Sequence, residues 1–166
     1  MKRSVFTFSA FAAFALFAAF ATTSHADKRT HAAAKVSIDV PDGWKIDAEE
    51  DNMTITDAAD ECAIFFIVLE TDDLHKALDA IDSELSKVAK NIKWEDKPSE
   101  LKLNGMDAIA LDGKGKIDGT DADMGVMLIN TPADKILLVL GAVESAKSSK
   151  HEADVEKILK SIKPEK

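Results

Sequence analysis

Two short stretches of this sequence are apolar at every position, and they constrain the fold more than any other feature. One runs from Ala63 to Leu69, and the other runs from Ile136 to Val143 with only Gly141 interrupting it. Each has the length of a β-strand. A strand with one wet face alternates apolar and polar residues, whereas an unbroken apolar strand has to be covered on both faces. The sequence therefore predicts a sheet with cover on both sides.

Further strands and two helices are predicted around these runs. Val36–Val40 alternates apolar and polar residues, and Asn104-Gly105 and Asp118-Gly119 are the dipeptides preferred in tight hairpin turns. Thr71 is predicted to cap a helix whose apolar residues recur at spacings of three and four. They are Leu74, Leu78, Ile81, Leu85, Val88 and Ile92.

Ser149 and Glu152 have the spacing of a capping box and predict the start of a last helix. The expected fold is α+β, with a single antiparallel sheet of about six to eight strands packed by two main helices. The apolar strands leave two arrangements open. The helices lie on opposite faces of the sheet, or both lie on one face while a loop covers the other.

An N-terminal segment of different character precedes this pattern. Lys2 and Arg3 are followed by an almost wholly apolar run from Val5 to Ala21, and small residues stand at Ser24 and Ala26. A basic start, an apolar stretch and a small-residue cleavage site are typical of a secretory signal peptide. An uncleaved anchor is the alternative, since the run approaches the length of a membrane-spanning helix.

These features divide the chain into three predicted parts. A signal peptide occupies residues 1–26 with cleavage after Ala26, a mobile lead occupies 27–34, and one α+β domain occupies 35–163. The expected location is periplasmic or extracellular. No second apolar run is long enough to span a membrane, so we expect no stable membrane insertion after cleavage.

Charge and composition exclude several classes of protein. The net charge is −9, and it becomes −11 once Lys2 and Arg3 leave with the signal peptide. Such a chain lacks the basic surface that neutralises nucleic-acid phosphates. With Cys62 as its single cysteine it cannot be a disulfide-stapled domain. We expect a monomer that binds no nucleic acid.

No catalytic set is evident in the sequence. A catalytic Cys62 would need a histidine base, and His31, His75 and His151 are spread over separate predicted elements. A buried structural thiol is the favoured interpretation. If Cys62 is exposed, an intermolecular disulfide is the alternative.

The metal-binding patterns fail on inspection, so we predict no metal and no cofactor. The stretch from Asp112 to Asp121 has Lys114 and Lys116 where a calcium loop needs oxygen ligands. The acidic turn with Asp57, Asp60 and Glu61 is interpreted as solvated. The four mature-chain methionines are interpreted as core residues, since Met124 and Met127 point to opposite faces of a strand.

A few residues are candidates for binding. Trp94 lies among charged residues after the first helix and is the better of the two tryptophans for a partner contact. Gly125, Gly141 and Ala142 are small enough to make room for an apolar ligand between sheet and helix. Gly113 and Gly115 lie within a predicted strand and indicate a bulge or the close approach of another element.

The opening of the predicted domain resembles a known superfamily. The segment Val36-x-Ile38-x-Val40-Pro41-x-Gly43-Trp44, a helix that begins Asp72-Asp73-Leu74, the Asn104-Gly105 hairpin and a terminal helix follow the order seen in PsbP-like, Ran-binding Mog-type and DcrB-like proteins. The resemblance implies an antiparallel sheet flanked by helices and a non-catalytic binding, assembly or accessory role. It carries over no functional residue.

The expected function is therefore a non-enzymatic, exported binding or accessory protein with an unidentified protein partner in the cell envelope. A carrier of a small apolar ligand or lipid is the first alternative. An enzyme of unrecognised type is the second.

Overall fold

The computed structural model describes residues 26–86, 89–95 and 97–165. These residues form eleven strands, two α-helices and two short turns of 3-10 helix. The strands are β1 (Asp27–His31), β2 (Val36–Val40), β3 (Lys45–Ala48), β4 (Asn52–Thr56), β5 (Cys62–Leu69), β6 (Lys90–Trp94), β7 (Ser99–Leu103), β8 (Met106–Ile117), β9 (Thr120–Asn130), β10 (Ile136–Glu144) and β11 (Lys163–Pro164). The helices are α1 (Leu74–Leu85) and α2 (Ser148–Ser161).

Eight of the strands form one antiparallel sheet, called here the main sheet. Its order is β3-β4-β5-β10-β9-β8-β6, and β7 pairs with β8 beside β6. The two fully apolar runs, β5 and β10, lie side by side at its centre, with Leu140 opposite Phe65. The prediction of an α+β fold with a large antiparallel sheet and two helices is confirmed.

The two helices lie on opposite faces of the main sheet, which decides between the two arrangements left open by the sequence. On β5, Ile64, Phe66 and Val68 belong to an apolar cluster that includes α2. Phe65 and Ile67 point the other way and pack with α1. Met124 and Met127 of β9 lie in the α1 and α2 clusters respectively, and so the interpretation of these methionines as core residues is confirmed.

A second, small sheet shares the α2 face, and the sequence did not indicate it. Its order is β1-β2-β11, with β1 antiparallel to β2 from Asp27 opposite Val40 to His31 opposite Val36. Residues 27–34, for which the sequence predicts a mobile lead, thus contain a strand and a 3-10 turn. The sequence concealed β1 because only His31 among its five residues is buried.

The first helix is shorter than predicted and starts later. Asp73, not Thr71, caps it, because its carboxylate accepts hydrogen bonds from the backbone N–H groups of His75 and Lys76 at 3.0 and 3.2 Å. The helix ends at Leu85, and Ile92 of the predicted stripe lies in strand β6. Val88 of the same stripe lies outside the described residues.

The prediction of a capping box on α2 is also wrong. The helix begins at Ser148 directly after a 3-10 turn at Ser145–Lys147, and no side chain caps it. Its C-terminus is held instead. Asn104 of the β7–β8 turn donates hydrogen bonds to the carbonyl oxygens of Lys160 and Ile162 at 2.9 and 2.6 Å.

Both predicted hairpin turns are present. Asn104 and Gly105 have φ of 49° and 91°, and Asp118 and Gly119 have φ of 49° and 84°, as primed turns require. The stretch from Asp112 to Asp121, which lacks the ligand pattern of a calcium loop, belongs to the β8–β9 hairpin. In this hairpin Lys116 pairs with Asp121 at 2.6 Å.

Gly113 and Gly115 mark a close approach of β6 to β8. A Cβ at Gly113 would lie 2.7 Å from the Trp94 ring and 3.0 Å from the carbonyl oxygen of Lys93. At Gly141 the nearest atom would be 3.8 Å away, which is an ordinary contact. The requirement for glycine is therefore steric at Gly113 but not at Gly141.

We predict opposite effects for alanine at these two glycines. Gly113→Ala should lower the free energy of unfolding by about 1–3 kcal/mol through overpacking against Trp94. Gly141→Ala should raise it by about 0.4–1 kcal/mol, because alanine reduces the entropy of the unfolded chain. Urea denaturation followed by tryptophan fluorescence measures both, and equal effects would contradict the packing described here.

A second prediction concerns His31, which is only 4% exposed. Burial lowers the pKa of its imidazole from 6.5. The folded protein therefore binds this proton less readily than the unfolded chain does, and the corresponding stability is complete above pH 6.5. It is lost as the pH falls from 6.5 through the lowered pKa.

Removing the imidazole should therefore reduce the loss of stability in mild acid. We expect His31→Leu to lose less unfolding free energy than the wild type between about pH 7.5 and about pH 5.5 in urea titrations. His75→Leu, which alters an exposed histidine, is the control. The same pH slope in His31→Leu and wild type would refute the prediction.

Candidate functional site

A groove opens on the α1 face of the main sheet where the helix does not cover the strands. It has a volume of about 300 Å³, and none of its lining residues belongs to α1. Its floor includes Ala63 on β5, Ala142 on β10 and Ala122 on β9. Ala142 lies directly opposite Ala63, and these small side chains make the surface concave.

Four carboxylates lie at the edge of this groove. They are contributed by Asp60, Glu61, Asp118 and Glu144. The half-buried Phe65 and the side chain of Ile117 complete the apolar lining. We call this surface the acid-rimmed groove.

The four rim carboxylates differ in how their charge is balanced. Lys45 pairs with Asp60 at 2.8 Å, and Lys147 and Lys150 both pair with Glu61. Within the described part of the chain, no cation pairs with Asp118 or Glu144. The uncompensated negative charge of the groove therefore lies on Asp118 and on Glu144, which is a neighbour of Glu61 and donates its backbone N–H to the Glu61 carbonyl oxygen at 3.1 Å.

Glu61 also belongs to a second cluster, which joins the β4–β5 turn to the first turn of α2. His151 Nε2 lies 3.2 Å from Glu61 Oε2 and 4.0 Å from Asp57 Oδ2. The Trp44 ring meets the His151 ring edge-on, with 6.4 Å between centroids. Hydrogen bonds from Lys150, His151 and Lys147, in that order, lower the pKa of Glu61 to about 2.

Asp57 is held by the backbone of its own turn. Its carboxylate accepts hydrogen bonds from the N–H groups of Ala59, Glu61 and Cys62 at 3.0, 2.7 and 2.8 Å. Burial opposes ionisation of Asp57, but these bonds and the nearby His151 outweigh it and lower the pKa. Asp57 thereby fixes the turn from which Glu61 reaches α2.

The residue types of this cluster are those of a metal site, but its charges are already balanced. One ligand atom from each of Asp57, Glu61 and His151 lies within 4.8 Å of the others. A cation bound there would have to displace two ammonium groups from Glu61. We interpret the cluster as the connection that positions α2, and the absence of a metal stays a prediction. Asp60, grouped with these acids by the sequence, pairs with Lys45 instead.

The structure separates the residues predicted to line a ligand cavity. Ala142 lines the acid-rimmed groove. Gly125 and Gly141 lie opposite each other in the β9–β10 ladder and share the other face with Met127 and Val139. The three residues therefore do not surround a common space between sheet and helix.

Trp94 is the last residue of β6. Its half-buried ring packs over Gly113 and contributes to the α1 cluster. It does not line the acid-rimmed groove. A partner contact at Trp94 stays a prediction.

Cys62 is buried in the α2 cluster and only 2% exposed. Burial, together with the charges of Asp57 and Asp154, raises the pKa of its thiol to about 12. An intermolecular disulfide would require an exposed Cys62, and this thiol is buried. The low thiolate content also argues against nucleophilic catalysis.

Sequence reasoning missed most of the groove. Ala63 and Ala122 are ordinary residues in a strand, and the concave surface arises only when β5 and β9 flank β10 and its Ala142. Asp118 was recognised as a turn residue and Glu144 was not considered. Four acids brought to one sheet end by three separate turns have no spacing that a sequence would reveal.

Comparison with known proteins gives a fold but no sequence family. No family model matches, and no curated protein matches in sequence. The solution structure of cyanobacterial PsbP (CyanoP) from Synechocystis sp. PCC 6803 aligns with a TM-score of 0.59 at 9% identity, over 90% of this chain and 97% of that one. The fold is PsbP-like.

Two further solved structures support this assignment. A protein from Bacteroides thetaiotaomicron VPI-5482 has a TM-score of 0.57 at 16% identity over 85% of this chain, which spans about half (49%) of that protein. LpqN of Mycobacterium tuberculosis, described as involved in cell envelope biogenesis, has a TM-score of 0.50 at 13% identity, with 86% of each chain covered. The resemblance to PsbP-like proteins is thus confirmed at the level of the fold.

We predict that Glu61 contributes to the loss of folding stability of this protein at low pH. Because its pKa is lowered from 4.5 to about 2, the stability that it contributes is complete above pH 4.5 and is lost as the pH falls towards 2. Glu61→Gln should lower the melting temperature at about pH 6 and reduce its further fall at about pH 3.

Glu100→Gln is the matched control, since Glu100 is exposed on β7. Its melting temperatures should follow the wild type at both pH values in differential scanning calorimetry. If Glu61→Gln and wild type lose the same stability on acidification, the ion-pair cluster does not have the role described.

Proposed function

We propose that this chain is an exported, non-enzymatic accessory protein of the cell envelope, and that it binds a protein partner through the acid-rimmed groove. The observation that supports the proposal best is the groove itself. It is a solvent-open, mostly apolar part of the α1 face of the main sheet, and no residue of α1 covers it. A concave apolar surface with a polar edge is a typical binding surface.

Export is supported by the predicted signal peptide at residues 1–26. Of those residues only Ala26 is among the ones that the structure describes. Within the described residues, no helix is long and apolar enough to cross a membrane. The fold also occurs in LpqN, whose description places it in envelope biogenesis.

A non-enzymatic role is supported by the placement of the potential catalytic groups. The thiol of Cys62 is buried, and His31 is buried at the end of β1. His75 is exposed at the start of α1. His151 belongs to α2, on the other face of the sheet from α1, and its ring contacts Glu61 at 3.2 Å. These groups do not form the nucleophile and base pair that covalent catalysis requires.

Site-specific photo-crosslinking in cells expressing the full chain tests the proposal. A photoreactive side chain at Thr120, an exposed groove residue, should give a crosslinked species in the envelope fraction. The same probe at Glu100 on β7 should not. Mass spectrometry of the purified protein should find an N-terminus at Asp27.

Two results would contradict the proposal. Crosslinking of equal yield at Thr120 and Glu100 would mean that the groove has no preferred partner. A full-length chain that remains in the cytoplasmic fraction would contradict export.

A further inference from the structure

We infer that the acid-rimmed groove accepts a basic segment of another protein, one in which an apolar side chain is flanked by lysine or arginine. The inference rests on the proposed function and names the chemistry of its partner. Two features of the groove carry it, the alanine floor and the uncompensated carboxylates.

The floor specifies an apolar side chain. Ala63 and Ala142 face each other across β5 and β10, and Ala122 lies beside them on β9. Phe65 forms one wall and is half-buried. The volume of about 300 Å³ accommodates one or two large apolar side chains rather than a folded domain. Burial there removes apolar surface from water on both partners.

The rim specifies the charge of what surrounds that side chain. Asp118 lies on the β8–β9 turn, and Glu144 ends β10 opposite Ala122, so that both carboxylates flank the floor. Within the described residues neither carboxylate forms an ion pair. An acidic or neutral segment would approach two unbalanced negative charges, whereas a lysine or arginine would pair with them.

The net charge of this chain makes a second copy a poorer occupant than a basic partner. The lysines that contact rim carboxylates, Lys45, Lys147 and Lys150, are already paired with Asp60 or Glu61. The net charge of −9, or −11 without Lys2 and Arg3, opposes the association of two copies. A basic partner is favoured by the same long-range field.

The test uses the purified mature protein and two short peptides. One peptide has a Leu-Phe-Leu centre flanked by lysines, and the other has the same lysines around a Ser-Gly-Ser centre. Isothermal titration calorimetry should detect binding of the Leu-Phe-Leu peptide, with an affinity that falls as salt is added. The Ser-Gly-Ser peptide should bind about tenfold more weakly or not at all.

Two sets of variants locate the interaction. The double variant Asp118→Lys with Glu144→Lys should weaken binding of the Leu-Phe-Leu peptide by about tenfold or more. The double variant Asp79→Lys with Glu100→Lys has the same net charge but alters exposed acids on α1 and β7, and it should bind within about twofold of wild type. Ala63→Phe fills the groove and should abolish binding, with circular dichroism and melting temperature showing that each variant is folded.

Several outcomes would overturn the inference. If both double variants weaken binding equally, the peptide responds to net charge and not to the groove. If the two peptides bind equally, the alanine floor plays no part. If the protein self-associates in sedimentation experiments and Ala63→Phe prevents it, the occupant is a second copy.

The failure of the inference and that of the proposed function can be told apart. Crosslinking at Thr120 without binding of the basic peptide would leave a partner-binding groove of different specificity. Peptide binding without crosslinking in cells would leave the specificity intact but remove the support for an envelope partner. Absence of both would refute the two together.

Discussion

Covering both faces of a sheet with two short helices is the constraint on which the rest of this structure depends. β5 and β10 are apolar on both sides, so water must be excluded from both. On one side, α2 and the small sheet share that task, and Ile64 and Phe66 are completely buried there. On the other side α1 has twelve residues and therefore a length of about 18 Å, while β9, with eleven residues, extends about 36 Å. One helix cannot cover such strands from end to end.

The unequal cover explains why the groove lies where it does. At the uncovered end of the α1 face the large residues of the apolar strands give way to Ala63, Ala122 and Ala142. Alanine presents little apolar surface to water, and the carboxylates of Asp118 and Glu144 beside it are hydrated. Open sheet is thereby tolerated in the isolated protein. The same arrangement leaves a concave surface that a partner with a larger apolar side chain would fill.

The sequence predicted those parts of the fold that depend on local pattern. The apolar runs identified β5 and β10, and the dipeptides Asn104-Gly105 and Asp118-Gly119 identified two hairpins, because their signals are complete within a few residues. The missed elements depend on distant partners. β1 is polar and forms through backbone pairing with β2. The apolar spacing of the predicted helix continues to Ile92, but Ile92 lies in β6. This strand pairs with β8, with a shift in register between Lys90 and Lys93.

The candidate site was less predictable for the same reason. Ala142 was named for its small size and does line the groove, but Gly125 and Gly141 were named on the same argument and lie on the other face. Residue size is visible in a sequence, whereas the face to which a residue points is secure only once register is known. The pairing of acids with lysines is still harder to foresee, because Lys147 and Lys150 follow Glu61 by more than eighty residues.

The ion pairs also determine which acids remain available for binding. Glu61 reaches α2 only because Asp57 accepts three backbone hydrogen bonds and fixes the turn before β5. Two lysines and His151 then balance its charge at the junction with the helix. Asp118 and Glu144 form no ion pair among the described residues, so their charges are not balanced in this way. The same acidic composition therefore serves two purposes: Glu61 joins elements of the fold, and Asp118 and Glu144 supply the negative potential that would attract a basic partner.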